Sequence, residues 1–416
     1  MCTGSVFAVT PLFAMTSANK LFGHDKGPVI KKITISKASG SFYRFIGMNS
    51  YDKAPKGING SRRYFTVELS DGSVGIGAVG YAKVDEATIS KLKQLIGMDP
   101  FTFYHWENDK IIGVTPTMQK IFFHPEFAWI ESGILDVIGK LKKQPVWALM
   151  GNSVRESVDA YDGTLYFADI ANNTDVGIIG EIGKRIKADG YRAIKIKLGR
   201  SFKWLPGEAG VNRDIESFIA LREAVGQNFT LMADANNGYR NHFDWALKLL
   251  KSCAPYNMYF IEELFPDSTD QYIKLREELL KDNFFIPIAE GEDIWELDKF
   301  DQYLNDGVYN YIQPDMSTCG LSNILFTARK ASKFPHVKLI PHVWQSQLGL
   351  IMSLHASKVQ HNIPYVEDSR YIEHSIITSG YLFREGQWFL PDKPGWGVEL
   401  ASNYKQFLTE EDIVIS

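Results

Sequence analysis

Ionisable side chains recur through the second half of the chain at Lys195 and Lys197, Asp234, Glu262 with Glu263, Glu292, Asp315, His342 and Glu367. From Lys197 to Glu367 the steps are 37, 28, 30, 23, 27 and 25 residues, each about one strand-plus-helix unit. Side chains set one unit apart form a ring around a shared mouth. Three carboxylates in such a ring, Asp234, Glu262 and Glu292, repel one another when half-buried. A hard divalent cation removes that repulsion, and carboxylate oxygens completed by water or substrate suit Mg²⁺. The structural alternative is that the carboxylates form salt bridges with Lys195, Lys197 or nearby arginines.

Lys195 and Lys197 lie two apart, so on a strand both point to the same face. Beside a cation and partly buried, Lys197 is expected to have a lowered pKa and to serve as a base. The alternative is a lysine pair facing solvent, which fits poorly because Ala193 and Ile194 mark a buried strand. Asp315 and His342 end neighbouring units. An aspartate bonded to one imidazole nitrogen orients the ring and raises its basicity, leaving the other nitrogen to move a proton. The bland reading of that pair is a capping aspartate and a packed histidine. His124, His242 and His355 show no partner spacing, and no role is assigned to them.

These groups need elements that hold them at strand ends. Short β-branched or aromatic runs alternate with longer helical stretches after Tyr161. The runs are Val158–Asp162, Ala193–Leu198, Thr230–Asp234, Met258–Glu262, Phe285–Ala289, Tyr309–Gln313, Lys338–Pro341 and Tyr365–Glu367. Helices are expected at Ala209–Val225, Phe243–Ser252, Tyr272–Leu280 and Ser322–Lys333. Such alternation implies right-handed crossovers and a parallel sheet, and eight units fit an α/β fold of the (β/α)8 barrel type better than an open sheet. Ahead of it, Arg63–Leu69 and Val74–Ala78 read as strands around an Asp71-Gly72 turn. Ile130–Leu141 reads as a helix ended by Gln144-Pro145. This earlier region is α+β.

The chain has 416 residues, 45% hydrophobic and 23% charged, with a net charge of −4. It is long enough for a barrel plus a smaller domain, and its charge gives no nucleic-acid or anionic-membrane surface. Cys2, Cys253 and Cys319 are too scattered for a disulfide framework or a cysteine-based zinc site. No apolar run is long enough to span a bilayer. Val6–Met15 is apolar and is followed by small residues, like the core of an export signal, but no Lys or Arg precedes it. Residues 1–25 are therefore read as a flexible N-terminus or the remnant of a signal. The expected location is cytoplasmic, or periplasmic if that signal is truncated.

In order, the motifs KIK, DANNGY, FIEEL, GED, QPD and PHVW resemble the barrel of the enolase superfamily, in its mandelate racemase-like subgroup. RYFTVELSDGSVGIGAVGY and IESGILDVIGKLKKQPVWALMG are similar to that family's capping domain and the helix entering its barrel. LPDKPGWGVEL resembles the segment that returns to the cap. The resemblance implies a cap over residues 26–155, a catalytic barrel over 156–380 and a returning segment over 381–416. It places metal ligands on Asp234, Glu262 and Glu292 and a base on Lys197. Lys195 falls beside the substrate carboxylate, a His–Asp dyad on His342 and Asp315, and a late-strand acid on Glu367. Two departures stand out. The usual Glu-Glu-Pro is Glu262-Glu263-Leu264, which leaves Glu262 and Glu263 as rival ligands, and Glu290 is a further competitor. Cys319-Gly320 stands where paired glycines are common.

The chemistry so implied is Mg²⁺-dependent removal of the proton α to a carboxylate. Dehydration of an acid sugar to a 2-keto-3-deoxy acid is the favoured outcome. Racemisation, epimerisation or cycloisomerisation through the same enediolate is the alternative. A small carboxylate substrate and a homo-oligomeric assembly are expected, with neither nucleic acid nor membrane as partner. Specificity is expected from Phe45–Lys56, including Asn49 and Tyr51, from Tyr81, and from Trp344 and Arg370. A metal-dependent hydrolase would want a His-x-His pair on the first barrel strand, which instead reads DAYDG. A sugar-acid binding protein would not need both Lys197 and His342.

Overall fold

The computed structural model describes residues 27–266 and 268–416. The apolar N-terminal segment therefore lies outside the described residues. Strands β1 (Ile30–Ile46), β2 (Gly57–Leu69) and β3 (Val74–Ala78) form an antiparallel sheet. Its register, Ile33 opposite Val67 and Ile35 opposite Phe65, puts the buried apolar side chains on one face, as strand alternation requires. Helix Glu131–Lys142 covers that face. Gly75 and Gly77 let it approach closely: a Cβ on Gly75 would lie 2.1 Å from the Gly133 carbonyl oxygen, and one on Gly77 2.4 Å from Ser132 Oγ. A hairpin, β4 (Tyr104–Glu107) and β5 (Lys110–Val114), precedes the helix.

The second sheet carries the ring residues. Its parallel strands are β6 (Ser157–Leu165), β7 (Ala193–Lys197), β8 (Thr230–Asp234), β9 (Met258–Glu262), β10 (Ile288–Glu290), β11 (Tyr311–Ile312) and β12 (Lys338–Leu339), adjacent in chain order. An eighth, β13 (Val366–Asp368), returns to pair in parallel with β6. Helices connect consecutive strands, making this a mixed α/β fold. Every residue of β7 is buried, as expected of a parallel strand covered on both faces. Tyr161, Ala193, Met232, Phe260, Ala289 and Ile340 form one shared layer of packed side chains beneath the strand ends.

Two later segments return to the first sheet. Strand β14 (Tyr371–Glu373) and the terminal strand Ile413–Ile415 both pair antiparallel with β1. No helix among the described residues is long and apolar enough to cross a membrane.

Several element boundaries differ from expectation. The first parallel strand continues to Leu165 instead of ending at Asp162, and the fifth begins at Ile288, not Phe285. The helix expected from Ser322 starts at Met316, with Gly320 at φ 75° breaking it. A Cβ at Gly320 would press on the Ala128 carbonyl oxygen at 2.7 Å. Beyond the break the buried Glu131 carboxylate accepts the Ser322 N–H at 2.9 Å, capping the second half of the helix as a side-chain acceptor should. The sequence pattern registers only that second half.

Candidate active site

Strand register brings the ring together. Lys197 sits opposite Asp234, and Asp234 opposite Glu262. Ala289 of β10 also pairs with Glu262, and Gly291, at φ 118°, turns the chain so that Glu292 follows directly. Asp315 and His342 are linked by a single parallel bridge. Asp234, Glu262 and Glu292 each offer one carboxylate oxygen, all within 4.8 Å of one another.

Lys195 Nζ lies at the centre of this acid group. It is 2.7 Å from Glu262 Oε2, 3.0 Å from Glu367 Oε1 and 3.5 Å from Asp234 Oδ2. Lys197 donates to Asp234 Oδ2. His342 Nδ1 is 2.9 Å from Asp315 Oδ2, while its Nε2 lies 3.3 Å from Glu292 Oε2 and 4.0 Å from Glu367 Oε2. Asp315 also accepts the Thr318 N–H at 2.8 Å, which fixes the carboxylate that holds the imidazole. Glu367 Oε2 accepts the Val343 N–H at 3.1 Å. The eight residues Lys195, Lys197, Asp234, Glu262, Glu292, Asp315, His342 and Glu367 therefore meet in one place.

The rival carboxylates are engaged elsewhere. Glu263, in the left-handed region at φ 48°, accepts from Asn236 Nδ2 at 3.0 Å. Glu290 accepts from the Tyr272 hydroxyl at 2.9 Å. By contrast Glu262 Oε1 and Glu292 Oε2 are buried without a hydrogen-bond partner. Buried oxygens are rarely left so, and three converging carboxylates with two orphaned oxygens fit a hard divalent cation.

The electrostatics follow from crowding. Burial pushes the Glu262 carboxyl up to about 8, with Lys195 pulling back and Asp234, Glu292 and Glu367 adding to the rise. Burial also opposes ionised Asp234, but Lys197 and Lys195 outweigh it and hold that carboxyl below its usual range. For Lys197 the protein's own groups set the balance against which a bound cation would act. Burial disfavours its ammonium, yet Asp234, Tyr166 and Glu292 hold it well above the ordinary lysine value. His342 is likewise raised to about 10, with burial overcome by Glu292, Asp315 and Glu367.

Three contacts were not anticipated from the sequence. Gln313 Nε2 donates to Glu262 Oε2 at 3.0 Å. The Asn236 N–H holds Asp234 Oδ1 at 2.8 Å. Tyr166 places its ring 5.2 Å from Lys197 Nζ. Gln313 did leave a signal: it is a polar residue closing the Tyr309–Gln313 run, two positions before Asp315.

Loops of the first sheet border the mouth. Asn49 Nδ2 donates to Asn236 Oδ1 at 3.2 Å, and Ser50 Oγ to the Asn236 carbonyl at 2.6 Å. Tyr81 stacks on the His342 imidazole with centroids 6.5 Å apart. Trp344 packs 4.9 Å from Tyr166. Arg370 turns elsewhere: it meets Asp189 at 2.6 Å and Asp162 at 3.4 Å and covers Tyr43. His355, assigned no role, is a buried packing residue that accepts the Trp147 N–H.

Residues 179–404 match the model of the family described as Enolase C-terminal domain-like. The arabinonate dehydratase of Saccharolobus solfataricus is 27% identical over 341 residues, covering 80% of this chain and 86% of that protein. The D-galactarolactone cycloisomerase of Agrobacterium fabrum is 27% identical over 353 residues, covering 80% and 87%. A mandelate racemase/muconate lactonizing protein from Geobacillus sp. Y412MC10, crystallised with magnesium and tartrate, superposes with a TM-score of 0.79 at 22% identity, covering 93% of this chain and 97% of that one.

Proposed function

The chain belongs to the Enolase C-terminal domain-like family of the enolase superfamily, and from that premise we propose that it removes the proton α to a carboxylate, dehydrating an acid sugar to a 2-keto-3-deoxy acid. In this reading the eight parallel strands close as a (β/α)8-type barrel over 156–380. Residues 26–155 cap it, completed by 381–416. Asp234, Glu262 and Glu292 hold Mg²⁺. The observation that carries the reading is the convergence of those carboxylates, two oxygens unsatisfied, with Lys197 and His342 on their flanks.

An α-proton of a carboxylate is a very weak acid, so catalysis must stabilise a doubly charged enediolate. Bound Mg²⁺ supplies positive charge for the carboxylate oxygens of that species. Lys197 moves the proton on one face of the α-carbon. His342, its ring fixed by Asp315, serves the other and protonates the departing β-hydroxyl. Lys195, held by Glu262 and Glu367, lies where the substrate carboxylate must sit, and Glu367 completes that end. The likeness to a cycloisomerase supports a second reading, racemisation, epimerisation or cycloisomerisation through the same enediolate.

The test is a library of acid sugars screened for 2-keto acid formation. Lys197→Ala and His342→Ala should each lower turnover by about 10²–10⁴-fold while Mg²⁺ binding persists. Full activity of both variants on the true substrate, or full activity in chelator, would overturn the reading. Deuterium uptake at C2 without elimination would shift it to the isomerase form.

A further inference from the structure

Most cations around this mouth are committed to a carboxylate. Lys195 and Lys197 are held by the acid ring. Lys56, over the Tyr166 and Trp344 rings, pairs with Asp52 at 2.8 Å. Arg370 pairs with Asp189. Arg62 differs. It comes from β2 of the first sheet, and no carboxylate among the described residues makes an ion pair with it. Its Nη2 is buried with no hydrogen-bond partner.

Its position ties it to the reacting centre. The guanidinium lies over the Tyr81 ring at 5.0 Å, and the same ring stacks on His342. Tyr81 is fixed there because its N–H donates to Thr318 Oγ1 at 3.1 Å, on the helix that Asp315 caps. Arg62 and the imidazole thus share one aromatic neighbour, Tyr81, which places the guanidinium beside the reacting centre. Burial lifts the Glu373 carboxyl to about 7, outweighing the field of Arg62, which lowers it; its Oε2 is unbonded and the two groups form no ion pair. An unpaired planar donor fork beside a substrate mouth matches carboxylate or phosphate oxygens two at a time.

We propose that Arg62 binds a second anionic group, carboxylate or phosphate, at the far end of the substrate, so that sugar diacids or phosphorylated sugar acids are preferred over simple aldonates. This rests on the α-proton reading above and narrows its substrate class.

The test compares kcat/KM in Mg²⁺ for matched sets of an aldarate, the aldonate of the same hydroxyl stereochemistry and that aldonate's terminal phosphate. The wild type should favour a member with a distal anion at least tenfold. Arg62→Met should shrink that ratio at least tenfold, and Arg62→Lys should restore part of it, with thermal melts showing that both variants fold. A preference for carboxylate or for phosphate would identify the anion and support the proposal. A wild type that favours the plain aldonate, or an unchanged ratio in Arg62→Met, overturns it while the α-proton reading stands. If no member is turned over or exchanges its α-hydrogen, the α-proton reading fails and this proposal with it.

Discussion

Two buried charge clusters lie within a few residues of each other and solve the same problem in opposite ways. In one, Arg200 is fully buried between Asp169 and Asp214, both 2.7 Å away. Asp214 also takes the Gly199 N–H at 2.8 Å and the Tyr239 hydroxyl at 2.6 Å. Burial works against the Arg200 charge, but its two aspartates outweigh it. In the other, two lysines face Asp234, Glu262, Glu292 and Glu367, the acids exceed the lysines, and Glu262 and Glu292 keep orphaned oxygens. Depth and residue types are alike. The first cluster completes itself and joins the β7 loop to its neighbours. The second stays incomplete, and a binding site needs that deficit.

The largest effect that would break this contrast is on the complete cluster. Arg200→Met leaves buried Asp214 without a counter-ion and Asp169 with only Arg213 at 3.4 Å, which should cost about 3–5 kcal/mol of folding stability. Urea unfolding of the metal-free protein measures it. A cost below 1 kcal/mol would mean that this cluster is no better satisfied than the ring.

Glu131 sharpens the contrast because it is hydrogen-bonded yet has no cation. Ser322 donates its N–H at 2.9 Å and its hydroxyl at 2.5 Å. Burial nevertheless outweighs these bonds and lifts the carboxyl from 4.5 to about 7. Between those values the folded protein keeps a proton that the unfolded chain has released. Stability from this group is therefore full below pH 4.5 and falls as pH rises to about 7, by on the order of 3 kcal/mol. Glu131→Gln should remove that slope. Unfolding free energies of both proteins at pH 5 and pH 8 test it, since other titrating groups cancel in the difference. Parallel pH profiles would show that hydrogen bonds alone satisfy a buried acid here.

The contrast also explains what the sequence could reveal. The ring was legible because each member is a polar residue closing an apolar run, and the runs recur at one unit's spacing. Lys197, Asp234 and His342 could be placed without coordinates for that reason. Tyr166 could not, because β6 runs past the point where its alternation fades. Asn49 meets Asn236 across 187 residues, a pairing that no local pattern encodes. Arg62 reads as an ordinary strand residue, and only its missing partner marks it. Gly320 hid half a helix, since a break at φ 75° leaves apolar spacing on only one side of it.

The smallest effect bears on the incomplete cluster and should have the opposite sign. Glu292 adds to the upward pressure on Glu262, Glu263 and Glu290, and its Oε2 gains no hydrogen bond in return. Glu292→Gln keeps the shape and removes the charge. The metal-free protein should then gain about 1 kcal/mol, the scale on which relieved functional strain returns as stability. The same variant should lose the rise in melting temperature that Mg²⁺ gives the wild type, because a ligand that binds only the folded state stabilises it by mass action. Melts with and without Mg²⁺ give both numbers from one sample. If Glu292→Gln instead destabilises the metal-free protein, His342 at 3.3 Å is a sufficient partner for that carboxylate. The ring would then be as self-contained as the Arg200 cluster, and the case for a bound cation would lose its support.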